Sequence, residues 1–162
     1  MKSTCQELIE ILSAQMEIYH QLLELAAQKR EHLIKGRIDE LNEVTKQEEL
    51  HILQLGKLEE KRENCFLQLA DLGGFDQNCS LQEVLPQLPE EEQNKLGQIQ
   101  ESFAGIIKKL ADLNQENTSL IQQSLRFINF TVDVLNQQSK PLYNAEKEVK
   151  IKQLNNLLDK KV

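Results

Sequence analysis

At 162 residues the chain is long enough for one domain of ordinary size. Gly (6), Pro (3) and aromatic residues are scarce beside abundant Leu, Gln, Glu and Lys, which is a long-helix composition. The net charge of −7 is uneven: residues 140–162 hold six Lys against three acids, a net +3, which leaves −10 on the residues before them and so argues against a nucleic-acid binder, whose folded part carries a basic face.

Cys5, Cys65 and Cys79 are odd in number and lie at no metal-like spacing, the pattern of free thiols in a reducing cytosol. Acidic Glu7 and Glu10 interrupt the first apolar residues, so the N-terminus does not read as a signal peptide. No apolar run approaches the roughly 18 residues that would insert in a membrane.

Thr4 and Glu7 have capping-box spacing, and a first helix is predicted over about 4–34. Leu8, Ile11, Leu12, Ile18, Tyr19, Leu22, Leu25, Ala26 and Leu33 share one face of it. Gly36 is placed to end it in the left-handed conformation, and so short a connection returns the chain antiparallel. A second helix is predicted over 38–72, with Asp39 as N-cap. Its stripe is Leu41, Val44, Ile52, Leu55, Leu58, Cys65, Phe66 and Leu69. Gly73-Gly74 stops it. Ser80 and Glu83 form a capping box on a short helix over 81–85, whose Leu81, Val84 and Leu85, with Leu88, can plug the open end of the hairpin.

Pro89 followed by Glu90, Glu91 and Glu92 is a strong start for a third long helix over 89–137, since proline suits the first helical position and acids favour the positive end of the dipole. Its stripe begins as a strict heptad: Leu96, Ile99, Phe103, Ile106, Leu110, Leu113, Asn117. It then shifts to Ile121, Leu125 and Ile128, an inserted four-step that unwinds a coiled-coil seam. The fold class expected is all-α: an antiparallel long-helix hairpin plus a third long helix in a three-helix bundle over 1–137, with a C-terminal tail over 138–162 that is mobile unless something binds it and able to form a short helix when bound.

Two polar features sit among these stripes. Asn114 and Asn117 lie in or beside the third stripe, and Glu48 and His51 fall within the second. Buried polar groups need partners, so the four are expected to form one register-setting layer. Near the end of the third helix, Phe127, Phe130 and Val134 make a second apolar line, well over 90° from Ile128, Val132 and Leu135. A helix with two apolar faces has something on each side.

In order and separation these signals resemble the FlgN family of flagellar export chaperones. Four places carry the likeness across roughly residues 5–137: Arg30-Glu-His-Leu-Ile-Lys-Gly36; Leu41-Asn-Glu-Val-Thr-Lys-Gln-Glu48; Ser80-Leu-Gln-Glu-Val-Leu85 with the Pro-Glu-Glu-Glu start; and Leu113-Asn114-x-x-Asn117-x-x-Leu120-Ile121. Arg37 departs from it, because an acidic residue commonly follows the glycine. The resemblance implies a cytoplasmic chaperone with no enzymatic activity and no cofactor. Such a chaperone holds hook-associated (hook–filament junction) proteins soluble and delivers them to the flagellar type III export gate. It implies cargo binding in the C-terminal part, which here maps onto Phe127, Phe130 and Val134, with the tail from Leu142 second and Tyr143 able to dock the export gate. The rival occupants of that face are the chain's own tail or a homodimer partner. The rival function is a coiled-coil tether without cargo.

Catalytic patterns are poor. Glu17-x-x-His20 and Glu48-x-x-His51 imitate half of a di-iron bundle site, but Glu17 and His20 point away from the stripe that Glu48 joins, and one metal cannot take ligands from inner and outer faces. No phosphate-binding glycine loop or Ser-His-Asp set is present.

Overall fold

A computed structural model describes residues 1–138. The regular structure among them is helical throughout: α1 (Lys2–Lys35), α2 (Ile38–Gly73), α3 (Leu81–Val84), a 3-10 turn (Leu85–Gln87) and α4 (Glu90–Gln138). The chain divides into two compact units, residues 1–120 and 121–162, and α4 runs from the first into the second.

In the first unit the glycines decide where helices stop. Gly36 ends α1 at φ 65, and the Arg37 amide reaches back to the His32 carbonyl at 3.0 Å. That left-handed residue, with an amide closing on the last turn, is the conformation glycine adopts without a Cβ clash. Gly74 does the same for α2 at φ 71. At Gly73 a Cβ would stand 2.7 Å from the Phe75 ring, so the ring can fold over the helix end only because that residue has no side chain.

Cross-links set the directions. Cys65 Sγ donates to the Thr4 carbonyl at 3.3 Å, Gln15 donates to Glu59 at 3.0 Å, and Lys29 is ion-paired with Glu48. The α2 partner falls as the α1 residue rises, so the two helices are antiparallel. Against α4 the order runs the other way. Lys2 Nζ lies 4.0 Å from Glu92, Tyr19 meets Phe103 edge to face at 5.6 Å, and Arg30 Nε donates to Glu116 at 2.8 Å. Up to Leu120, therefore, α4 runs parallel to α1, and the three long helices go up, down and up.

The tightest part of the core is where α1 begins, α2 ends and α4 begins. Cys5, Leu8, Ile9 and Ile11 of α1 meet Cys65 and Leu69 of α2 and Leu96 of α4, with Val84 and Leu88 from the connection closing the end. Leu81 and Leu85 pack against that cluster partly buried, so all four plug residues are used. The plug holds its shape through Ser80 and Glu83. The Glu83 carboxylate accepts from the Ser80 amide at 2.6 Å and from the Ser80 hydroxyl at 3.1 Å. Along α4 the heptad positions Leu96, Ile106 and Asn117 are buried, while Ile99, Phe103, Leu110 and Leu113 are partly so.

Three local expectations fail. α1 starts at Lys2 with Met1 as its cap residue, so Thr4 and Glu7 lie inside the helix and form no box. α2 takes Arg37 as its cap residue, and Asp39 stands in the first turn with Glu40, where its charge still favours the helix dipole. Ile52 is 59% exposed, because the inner face of α2 passes through Glu48, His51 and Leu55 instead. Glu48 is half-buried there, with its charge met by Lys29 of α1.

Leu96 is among the largest fully buried side chains. Leu96→Ala should destabilise the protein by about 3 kcal/mol, read as a lower urea midpoint, because it opens a cavity between three helices. The thiols should separate kinetically. Cys5 and Cys65 are buried, and burial raises both above the usual thiol range, whereas Cys79 is half-buried. Native protein treated with Ellman's reagent should release one thiol quickly and the other two only on unfolding.

Candidate functional site

The second unit presents apolar surface on a plain helix. Residues 121–138 of α4 contain no Gly or Pro, so the hydrogen-bond ladder runs through them unbroken. Thr131 Oγ1 donates back to the Phe127 carbonyl at 2.9 Å, which satisfies the hydroxyl locally. Phe127 is 70% exposed and Phe130 66%, while Val134 on the same line is half-buried. The other line is open too: Ile121, Leu125, Ile128, Val132 and Leu135 are all exposed. Arg126 and Asp133 are the charged residues between 121 and 138. Seven large apolar side chains exposed on five turns of helix is the kind of surface that folded chains reserve for a partner. Leu142 and Tyr143 lie outside the described residues.

The four polar residues expected in one layer are distributed differently. Asn117 is only 3% exposed, and its Nδ2 donates to the Ala26 carbonyl of α1 at 2.9 Å. Its Oδ1 is buried and has no hydrogen-bond partner among the described residues. Asn114 is exposed, and its backbone carbonyl accepts from Thr118. Glu48 pairs with Lys29, also on α1. His51 is half-buried, with Nδ1 3.3 Å from Gln54 on its own helix. Glu48 and Asn117 thus each end on α1, one from either side, and neither reaches the other.

A further polar link joins α1 to α2. Gln15 is buried, and its amide donates to the Glu59 carboxylate that Arg62 also holds. Arg62 above all, helped by Gln15, lowers Glu59 to about 2. Glu17 and His20 are exposed beside a shallow groove between α1 and α4, of about 570 Å³, which Ser13, Met16, Ser102 and Lys109 also line. Glu48, committed to Lys29 on the inner face, is not part of that groove.

A further open apolar group lies on α2, and of its residues only Ile52 belongs to the predicted stripe. Leu50, Ile52 and Leu53 of α2 are all exposed. The signal was there, since a Leu-His-Ile-Leu run at 50–53 cannot turn every apolar residue inward on a helix.

Comparison with known proteins gives a consistent picture. The family model described as FlgN protein matches residues 1–160. An uncharacterized Bacillus subtilis (strain 168) protein, YvyG, is 25% identical over 135 residues, covering 82% of this chain and 81% of its own length. No solved structure matches. No helix among the described residues is long and apolar enough to cross a membrane.

Asn117→Leu should leave the urea midpoint unchanged or raise it, since a side chain of similar volume removes an unpaired buried oxygen. Asn117→Asp should lower stability by about 3 kcal/mol, because it puts a carboxylate where Asn117 is sealed against α1.

Proposed function

Since the chain belongs to the FlgN family of flagellar export chaperones, we propose that it holds hook-associated subunits in the cytoplasm and passes them to the flagellar export gate. The observation that carries this reading is the open aromatic line on the last turns of α4, Phe127 and Phe130 with Val134 beside them. An unassembled filament subunit has an amphipathic helical segment with nothing to bury it. Laid along α4, that segment removes its own apolar face and the chaperone's from water together, by helix-on-helix packing. The two phenylalanines are the anchors, because buried aromatic rings dominate the energetics of such contacts. Their helix needs no refolding to receive the client, which lowers the entropic cost of binding.

The work required is binding and release, with no bond made or broken, and the chain acts without a cofactor. The tail from Leu142 onward is the second contact, and Tyr143 docks the export gate once cargo is bound. The absence of charge from the aromatic line supports a client face that is apolar at its centre.

Co-expression with each hook-associated subunit, followed by pull-down, tests the reading. Wild type should retain at least one subunit, and the variant carrying Phe127→Asp with Phe130→Asp should lose it, each ring contributing about 2 kcal/mol. Undiminished capture by the double variant would dismiss this face. Failure of wild type to hold any such subunit would favour a tether that carries no cargo.

A further inference from the structure

The aromatic line has an internal pattern that the client reading does not use. Counted in heptads, Phe127 and Val134 occupy the a positions, and Gln123, Phe130 and Gln137 the d positions. Arg126 and Asp133 then both fall at g, on the flank of the same seam and seven residues apart. Two turns of helix separate them by about 10 Å, too far for an ion pair within one chain. Both are exposed, and neither has a salt-bridge partner among the described residues.

We propose that a second copy of this chain pairs antiparallel along Gln123–Gln137, with Phe127 of one copy opposite Phe130 of the other, and that this pairing covers the face assigned above to the client. The orientation follows from the charges. In an antiparallel coiled coil each a layer meets a d layer and g faces g. Setting Phe127 against Phe130 of the other copy brings Arg126 opposite Asp133 of that copy. The two-fold axis repeats the contact, giving two reciprocal ion pairs around a centre of four phenylalanines. A parallel pair does not achieve this. There g faces e of the next heptad, so Arg126 meets Thr131 and Asp133 meets Gln138. Like charges also stand level with each other in that arrangement. The polar d residues Gln123 and Gln137 at the ends keep the seam short and the association weak, as suits a cover that must yield to cargo. Free chaperone is thereby shielded from non-specific apolar contacts, and client binding and self-pairing exclude each other. This rests on the client face proposed above, and the experiment separates the two.

The test is analytical ultracentrifugation of the full chain over a wide concentration range, with Arg126→Asp, Asp133→Arg and the double swap R126D/D133R. Wild type should show a reversible monomer–dimer equilibrium. Each single swap turns two attractions into two repulsions and should weaken it about tenfold, and the double swap should restore it. A wild type that stays monomeric throughout overturns the proposal. So do single swaps that dimerise like wild type, and a double swap that fails to recover. Circular dichroism on each variant confirms that these exposed positions leave the helices intact. In pull-down the single swaps should capture a hook-associated subunit at least as well as wild type, and loss of capture would overturn the mutual exclusion. Should Phe127→Asp with Phe130→Asp abolish dimerisation yet leave client capture unchanged, the client face falls and the self-pairing stands.

Discussion

A helix of 49 residues cannot be covered along its whole length by helices of 34 and 36. At 1.5 Å per residue the excess is about 20 Å, nearly four turns. The chain could have ended that excess with a glycine or a proline, or made it polar. It does neither. Residues 121–138 continue the hydrogen-bond ladder without a breaker and carry apolar side chains on two lines. The surface this leaves is a consequence of helix length combined with composition. It makes α4 at once a wall of the three-helix core and a carrier of apolar side chains open to water.

That division of labour needs the first part of α4 to be held in one register, and the polar contacts provide it. Apolar stripes slide past one another at little cost, because one leucine is much like the next. A buried amide on a single carbonyl does not slide. Asn117 on Ala26 ties α4 to α1, and the exposed Arg30–Glu116 pair lies one residue away. Lys29 on Glu48 and Gln15 on Glu59 tie α2 to α1. Every one of these links ends on α1, which makes α1 the reference against which both neighbours are set. The plug at the other end adds shape: Val84 and Leu88 enter between the three helices and close the core.

Much of this was legible from residue order. Gly36, Gly73 and Gly74 marked the stops, Ser80 and Glu83 the short plug, and Pro89 with three glutamates the start of the longest helix. The heptad from Leu96 to Asn117 is the buried face of α4. The Phe127 and Phe130 line was visible as a second apolar stripe, and the helix leaves both rings open. The misreadings share a cause. Thr4–Glu7 and Asp39 looked like caps because local hydrogen-bonding potential is visible in sequence, but a cap exists only where a helix begins. Ile52 looked like core because it is apolar, and Glu48 took its place on the inner face through a lysine nineteen residues away.

The sequence by itself determined helix type, helix ends and which residues share a face, because these follow from the 3.6-residue repeat and from the backbone freedom of glycine and proline, properties a chain has before it folds. Tertiary structure alone decided which helix each buried polar group would reach. Asn117 and Glu48 both had to find a partner, yet nothing in their spacing pointed to α1 over each other. That choice depends on the rotation and depth at which three helices come to rest, which is set by the fit of all their side chains at once.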